Sequence, residues 1–139
     1  MNACVTVLAE VHAADGYPMR WPADPVAWLR PDAEGWVAEQ DGRILGHVLL
    51  EARDGATTIS RLFVAPGGRR RGLGERLLDA ARAAASARGL AVTLEVVDSG
   101  AAAIALYRRL GWQHTGTGPG GWLTPDGVPA TVHYFAAPP

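Results

Sequence analysis

Lysine is absent from the sequence, and arginine supplies all 13 of its basic residues. Against 14 acidic residues this leaves a formal net charge of −1, without the positive excess that draws proteins to nucleic acid or to anionic membranes. A nucleotide-binding P-loop requires a lysine after its glycines, so the missing lysine excludes that class of site. We therefore expect neither nucleic acid nor a membrane as a partner.

Cysteine is nearly absent as well, and long apolar runs are missing. The single Cys4 cannot form an internal disulfide, which is compatible with a reducing compartment. No apolar run reaches the length of a membrane span, and we recognise no signal peptide. Histidine and cysteine nowhere occur together at metal-ligand spacing, so no metal site is expected. These absences predict a cytoplasmic protein without a metal.

The composition is that of a globular protein. The chain has 139 residues, of which 48% are hydrophobic and 19% are charged. A chain of this length has room for one core that buries about two-thirds of the unfolded surface. We expect a single domain over residues 1–139.

The most informative stretch runs from Leu62 to Leu78. Its apolar start predicts a strand, Pro66-Gly67-Gly68 ends that strand, and from Leu73 the apolar residues recur at helical spacing. Gly72 and Gly74 allow the backbone to approach a ligand closely. The first N–H groups of the helix lack intrahelical partners and lie at the positive end of its dipole. The stretch therefore predicts a binding site for an anion, with phosphate as the anion that fits best.

Hydrophobic periodicity and turn residues divide the rest of the chain into helices and strands. We expect helices over residues 3–14, from Pro25, from Leu73 to about Arg88 and over 100–110, with caps at Asp24 and at Asp98-Ser99. Strands are expected over residues 36–40, 43–51, 57–65, 90–97, 112–117 and 131–136, with hairpin turns at Asp41-Gly42 and Asp54-Gly55. Residues 116–130 are expected to form an exposed loop.

Two segments resemble motifs of one known family. Arg69-x-x-Gly72-x-Gly74, which follows a strand ending Leu62-Phe63-Val64-x-Pro66, resembles the acetyl-coenzyme A motif Gln/Arg-x-x-Gly-x-Gly/Ala of the GCN5-related N-acetyltransferases (GNAT). The second segment comprises Leu94-Glu95-Val96 and Ala103-Ile104-Ala105-Leu106-Tyr107-Arg108-Arg109-Leu110-Gly111-Trp112. It resembles the family's Leu-Glu-Val … Ala-Ile-x-Leu-Tyr-x-x-x-Gly-Phe segment, most closely in its form in ribosomal-protein N-terminal alanine acetyltransferases. The order of elements matches the family from residue 3 to the C-terminus.

The resemblance implies a fold and a reaction. The fold is α/β (α+β), the GNAT acyl-CoA N-acyltransferase fold, with a mixed, mostly antiparallel sheet and a central parallel βαβ crossover. The reaction is transfer of an acetyl group from acetyl-CoA, used as co-substrate, to a primary amine by direct attack in a ternary complex. The acceptor is a small molecule or a peptide, and the sequence does not identify it.

The resemblance also implies where acetyl-CoA binds. Backbone groups of one strand segment hold the pantetheine arm as an added strand would be held: Leu62, Phe63 and Val64. Backbone N–H groups of the turn hold the pyrophosphate, together with the guanidinium of Arg69: Arg70, Arg71, Gly72, Leu73 and Gly74.

Aminolysis of a thioester needs a group that takes a proton from the amine and a group that stabilises the departing thiolate. Glu95 is the expected base because it interrupts an apolar strand that the resemblance places beside the thioester. Glu51, a water relay and His47 are the alternatives. Tyr107 is the expected general acid, since a phenol with a pKa of about 10 stays protonated at rest; the competing interpretation is a core aromatic residue.

The chain departs from the family pattern at three places. Gly100 stands where many members have asparagine, and the strand 57–65 lacks the carboxylate that many members carry there. The strand that usually precedes the first helix is missing, so a sheet edge is expected to lie open and to support a homodimer or another self-association. Gly100 and the missing strand would also suit the alternative function, an acyl-CoA-binding module without turnover.

Three aromatic residues near the first helix have two interpretations. Tyr17, Trp21 and Trp28 are candidates for lining an acceptor groove, but a satellite aromatic core is the expected role. Arg69-Arg70-Arg71 also suits a nucleic-acid contact, which the net charge disfavours.

Overall fold

The computed structural model describes residues 2–53 and 56–138, so the predicted Asp54-Gly55 turn lies outside the described residues. The helices are α1 (Asn2–Asp15), α2 (Pro25–Trp28), α3 (Leu73–Ala87) and α4 (Ala101–Arg109). The strands are β1 (Glu34–Gln40), β2 (Arg43–Arg53), β3 (Ala56–Val64), β4 (Val92–Val97), β5 (Gln113–Leu123) and β6 (Pro129–Ala136). A single 3-10 turn, Pro66–Gly68, lies between β3 and α3.

The strands form one mixed sheet, as the sequence predicts. Their order is β1-β2-β3-β4-β6-β5, and β3 and β4 are the parallel pair. The other neighbours pair antiparallel. The helix α3 supplies the crossover between β3 and β4, because parallel neighbours cannot be joined by a tight hairpin.

Each face of the sheet carries its own core. The face that packs against α3 and α4 holds one cluster, which includes Leu78, Leu94 and Phe135. The opposite face packs against α1 and α2 and holds a second cluster around Leu29 and Phe63. Different helices cover the two faces. A ligand that contacts both faces must therefore lie in an opening of the sheet.

The sheet opens between β3 and β4. Their pairing comprises three positions and, within the described residues, ends where Ile59 pairs with Leu94. Beyond that point β3 pairs with β2, and β4 pairs with β6. The strands therefore part in the middle of the sheet.

A β-bulge lies at the point where the strands part. His47 pairs with Phe63, and Leu49 pairs with Ser60. Arg61 and Leu62 of β3 therefore stand opposite the single residue Val48 of β2. Arg61 has a φ of +49°, which is unusual for a residue other than glycine. Because a bulge bends the strand that carries the extra residue, β3 turns away from β4 here.

Several local predictions are confirmed. Asp41 and Gly42 have positive φ values of 53° and 79°, as a type I′ hairpin turn requires. The Oδ1 atom of Asp24 accepts a hydrogen bond from the Ala27 N–H at 3.1 Å and so caps α2.

The predicted cap of the last helix is wrong. Gly100 occupies the N-cap position of α4, and no side chain of the described residues caps the helix. Asp98 accepts a hydrogen bond from His133 on β6 instead, with 2.6 Å between Oδ1 and Nε2. The strand pairing brings this imidazole to Asp98, and the carboxylate binds it in place of the helix end.

The predicted loop over residues 116–130 is also wrong in most of its length. β5 continues to Leu123 and β6 begins at Pro129, so the connection is short. Glycine and proline are tolerated in β5 because it is an edge strand, bonded on one side only, and its register shifts between Pro119 and Leu123.

In the described part of the chain no strand precedes α1, which begins at Asn2. The edge strands of the sheet are β1 and β5. Self-association through an open edge stays a prediction.

Candidate active site

The first residues beyond the last β3–β4 pair are Ser60 and Glu95. The residues before them, Ile59 and Leu94, are buried in the core that packs against α3. Since side chains alternate along a strand, Ser60 and Glu95 both project from the opposite face. The opening is thus flanked on that face by a hydroxyl from β3 and a carboxylate from β4.

The predicted pantetheine segment, Leu62 to Val64, lies on the β3 side of the opening. Phe63 and Val64 pair with β2 along one edge of the strand, and in the described residues β4 offers no partner along the other. Leu62 and Val64 pack against the core on the α3 face, and Phe63 belongs to the core on the α1 face. The segment therefore presents an unpaired strand edge between two apolar surfaces.

The glycine turn has the features that an anion needs. Among the described residues we find no acceptor for the backbone N–H groups from Arg70 to Gly74. Arg70 and Gly72 have φ values of +64° and +71°, and a Cβ at Gly72 would point into open space. Gly72 is the N-cap of α3, so the free N–H groups lie at the positive end of its dipole.

Two of the three arginines in the turn are bound to other parts of the protein. The guanidinium of Arg69 donates to both carboxylate oxygens of Asp15 at the end of α1. Arg71 donates to the side-chain oxygen of Gln40 at 2.6 Å. Arg70 is exposed, and its side chain has no partner among the described residues. The arginine that sequence reasoning singled out for the pyrophosphate therefore also ties the turn to α1.

Tyr107 lies on α4 and is buried in the core, where its ring lies 5.7 Å from Phe135 and 6.1 Å from Trp112. Its hydroxyl makes no hydrogen bond to the described residues. Burial raises the pKa of Tyr107, and the neighbouring Tyr17 phenol raises it further. The residue is thus a core aromatic that keeps its proton and has an uncommitted hydroxyl.

The two candidate carboxylates differ in their surroundings. Glu95 is exposed and pairs across the ladder with Tyr134 of β6. The Glu51 side chain is only 8% exposed and forms an ion pair with Arg30, with 3.3 Å between Oε2 and the guanidinium nitrogen. The Ser60 hydroxyl donates to Oε1 of Glu51 at 2.8 Å. Sequence reasoning considered Glu51 but missed this partner, because nothing local predicts a contact across the β2–β3 register.

His47 is a fixed part of the bulge. It is 2% exposed, stacks on Phe63 at 5.0 Å, and its Nδ1–H donates to the Arg61 carbonyl at 2.9 Å. Burial lowers the pKa of the His47 imidazole, and the Arg61 charge lowers it further, while the hydrogen bond to the Arg61 carbonyl acts in the opposite direction. The imidazole is therefore neutral near pH 7 and is committed to holding the backbone.

The predicted satellite aromatic core is confirmed for Tyr17 and Trp28 and is wrong for Trp21. Tyr17 and Trp28 pack against the core on the α1 face, with Tyr17 6.1 Å from Trp28 and 6.4 Å from Phe63. Burial raises the pKa of Tyr17 to about 12, with the Arg61 charge acting in the opposite direction. Trp21 is 40% exposed, beside the His12 ring.

Gly100, the departure from the family at the start of α4, lies close to the last residues of β4. A Cβ there would lie 2.9 Å from Cγ2 of Val96 and 3.2 Å from the carbonyl oxygen of Val97. The first contact is with a side chain and the second is with the backbone. An asparagine would therefore require the Val96 side chain to move and the Val97 carbonyl to give way slightly.

Comparison with known proteins identifies the family. Residues 6–112 match the model of the acetyltransferase (GNAT) family. This is well over half of the chain, and the chain therefore belongs to the GNAT acetyltransferase family.

Solved structures share the fold. The ribosomal-protein-S18-alanine N-acetyltransferase from Escherichia coli is 25% identical, with a TM-score of 0.75 over 97% of this chain and 86% of that chain. Nourseothricin acetyltransferase is 30% identical, with a TM-score of 0.64 over 78% of this chain and 67% of that chain. A GNAT family acetyltransferase from Elizabethkingia anophelis, with acetyl-CoA bound, is 17% identical and has a TM-score of 0.69 over 83% of this chain and 82% of that chain.

The described residues contain no group of three or more histidine, cysteine, aspartate or glutamate side chains placed to hold a metal ion. In the same part of the chain, no helix combines the length and the apolarity that spanning a membrane takes.

Burial of neutral His47 predicts a pH-dependent stability. A histidine whose pKa is lower in the folded state stabilises the fold above its unfolded pKa of about 6.5, and this contribution is lost as the pH falls through the folded pKa. We expect the free energy of unfolding to fall from pH 7 to pH 5, and to fall less steeply in His47→Gln, whose amide N–H also reaches a carbonyl. Urea unfolding at closely spaced pH values measures both slopes. Identical slopes in the two proteins would show that His47 is not the titrating group.

Proposed function

We propose that the protein transfers an acetyl group from acetyl-CoA to a primary amine by direct attack in a ternary complex. The observation that carries the proposal is the opening between β3 and β4. It combines an unpaired strand edge, an anion-binding turn, a buried phenol and an exposed carboxylate within one region of the sheet. Family membership supports the same reaction.

The residues present fit acetyl-CoA. The free edge at Leu62, Phe63 and Val64 suits the amide groups of the pantetheine arm, which can bond to a strand edge as an added strand does. The free N–H groups from Arg70 to Gly74 suit the pyrophosphate. The Arg70 guanidinium is available for a phosphate without breaking a contact, whereas Arg69 would share its charge with Asp15.

Glu95 and Tyr107 have complementary roles in the proposed chemistry. Alkyl amines are mostly protonated near pH 7 and must lose a proton before attack. Glu95 is exposed at the edge of the opening, so it can take that proton and release it to solvent. Tyr107 keeps its own proton because burial raises its pKa, so it can donate a hydrogen bond and then the proton to the departing sulfur.

The first prediction from the proposed function concerns the binding of acetyl-CoA. It should raise the melting temperature by mass action, and dephospho-CoA or free pantetheine should raise it less because they lose phosphate contacts. A Cβ at Gly74 would lie 3.7 Å from Cδ2 of Leu106 and 3.8 Å from Cγ2 of Val64, so the indole in Gly74→Trp would project toward the strand edge at Val64, where it should block the cofactor and abolish the shift. Ser86→Trp, which introduces the same side chain near the other end of α3, is the matched control. An unchanged shift in Gly74→Trp would place the cofactor elsewhere.

The second prediction concerns turnover. Three amines are tested with acetyl-CoA in excess: a peptide with a free N-terminal alanine, spermidine, and lysine amide. We expect the protein to acetylate at least one of them and to release free CoA thiol. The peptide is tested first, because the chain is similar to the ribosomal-protein-S18-alanine N-acetyltransferase. Tight binding of acetyl-CoA without thiol release on any amine of a broader panel would favour the alternative, an acyl-CoA-binding module without turnover.

The third prediction separates acid from base. Tyr107→Phe removes one hydroxyl and should lower kcat by about 10²–10⁴-fold with little change in acetyl-CoA affinity. Glu95→Gln should lower the rate most at low pH and recover as the pH rises, because solvent then supplies the free amine. Glu10→Gln, an exposed carboxylate on α1, is the control for charge removal. A near-wild-type rate in Tyr107→Phe, with chemistry shown to be rate-limiting, would exclude Tyr107 as the acid.

A further inference from the structure

Ser60 and Glu51 form a hydrogen-bonded pair on the α1 face of the sheet. The Ser60 hydroxyl donates to Oε1 of Glu51 at 2.8 Å, and Oε2 of Glu51 forms the ion pair with Arg30. The carboxylate is largely buried, while Ser60 is half-buried. In this pair the Glu51 carboxylate is fixed by Arg30, and the Ser60 hydroxyl is hydrogen-bonded to its other oxygen.

The hydroxyl lies at a special place in the sheet. Ser60 is the first residue of β3 beyond the last pair with β4, and Glu95 is the equivalent residue of β4. Both side chains project from the same face, since Ile59 and Leu94 before them are buried on the other. A reacting amine that enters the opening from this face would meet Glu95 on one side and Ser60 on the other.

Aminolysis requires two proton acceptors at nitrogen. An ammonium group must lose one N–H proton before it can attack the acetyl carbon. Once the N–C bond has formed, the nitrogen carries a positive charge and must lose a second proton to become an amide. The departing sulfur takes up one proton, so the whole reaction releases one proton to solvent. The proposed function accounts for the first loss through Glu95 and for the sulfur through Tyr107.

We propose that the Ser60–Glu51 pair accepts the second proton. This inference rests on the proposed acetyl transfer. As the N–H bond breaks, the proton bonds to Oγ of Ser60, and the Ser60 hydroxyl proton passes to Oε1 of Glu51. The acetylated nitrogen is left neutral, the C–S bond breaks, and Tyr107 protonates the sulfur. Glu51 and Glu95 each return one proton to solvent and Tyr107 takes one back, which balances the reaction.

The surroundings of Glu51 give its proton a path out. A groove of about 840 Å³ is lined by Glu51, Arg30, Asp24 and neighbouring residues of α2 and β2. The groove is open to solvent along the surface between α2 and the sheet. A proton taken up beside the reacting nitrogen can therefore leave on the side of Glu51 that faces away from the opening.

The test uses kcat on the best of the three amines named above, with acetyl-CoA saturating. Ser60→Ala and Glu51→Gln should each lower kcat by about 10²-fold, and Ser60→Thr, which restores a hydroxyl, should recover most of that loss. The double variant Ser60→Ala/Glu51→Gln should be no slower than the slower single variant, because the two residues act as one unit. Ser86→Ala, which removes an exposed serine hydroxyl on α3, should leave kcat unchanged.

The pH profile distinguishes this pair from Glu95. The loss in Ser60→Ala should persist more than one pH unit above the pKa of the amine substrate, because the attacking nitrogen must still lose a proton after the N–C bond has formed. The loss in Glu95→Gln should shrink at that pH. Ser60→Ala combined with Glu95→Gln should multiply the two losses, since they affect different proton transfers. Melting temperature and acetyl-CoA affinity, measured in parallel, should stay near those of the parent protein in Ser60→Ala.

Three results would overturn the proposal. The first is a Ser60→Ala variant with the parent kcat over the whole pH range, with chemistry rate-limiting. The second is a double variant whose loss is the product of the single losses. The third is a loss in Ser60→Ala that Ser60→Thr does not recover and that follows a fall in melting temperature, which would assign the pair a structural role in joining β2 to β3. Absence of thiol release in the parent protein would instead refute the proposed function itself.

Discussion

The bulge at Arg61 is the constraint on which the rest of the site depends. A positive φ at a residue with a Cβ is unfavourable, and the protein holds it from three directions. The His47 imidazole donates to the Arg61 carbonyl, the Arg61 Nε–H donates to the Trp28 carbonyl at 2.8 Å, and the guanidinium stacks over the Trp28 ring at 4.3 Å. These contacts join β2, β3 and the end of α2 where β3 leaves β4. The opening in the sheet is therefore held by hydrogen-bonded groups of the protein, of which His47 is buried and Arg61 and Trp28 are half-buried.

The glycine turn is tied to the same framework through its arginines. Arg69 reaches the last residue of α1 and Arg71 reaches the end of β1, so the turn is connected to both the α1 face and the first hairpin. Such exposed pairs contribute little to stability. Their effect is positional: the free N–H groups of the turn keep a fixed relation to the strand edge at Leu62–Val64, which a ligand spanning both must match.

Much of the fold could be predicted from periodicity and turn chemistry, because those signals are local. Asp24 caps α2 by accepting a hydrogen bond from the N–H of Ala27, only three residues away. Asp41-Gly42 adopts the turn that its residue types favour. Asp98 was predicted as a cap for the same kind of reason and binds His133 instead, because tertiary pairing offers it a better partner. The continuation of β5 through glycine and proline likewise depends on its position at the sheet edge. The motif residues of the candidate site were predicted by resemblance, whereas the left-handed Arg61 has no local sequence signal.

The chemistry explains why a parted strand pair is useful. Tyr107 belongs to the core on the α3 and α4 face, while Glu95 and Ser60 project from the α1 face. In an intact sheet the backbone would separate a proton donor on one face from proton acceptors on the other. In the proposed reaction, an electrophilic carbon held at the level of the sheet where β3 and β4 part would be open to both sides. The amine and its bases would approach from one face, and the leaving group would meet its acid from the other. Among the described residues, the interrupted β3–β4 ladder leaves backbone groups without a strand partner. In the proposed function an acyl donor that bonds to the free edge would offset that cost, so that cofactor binding would be coupled to the completion of the sheet.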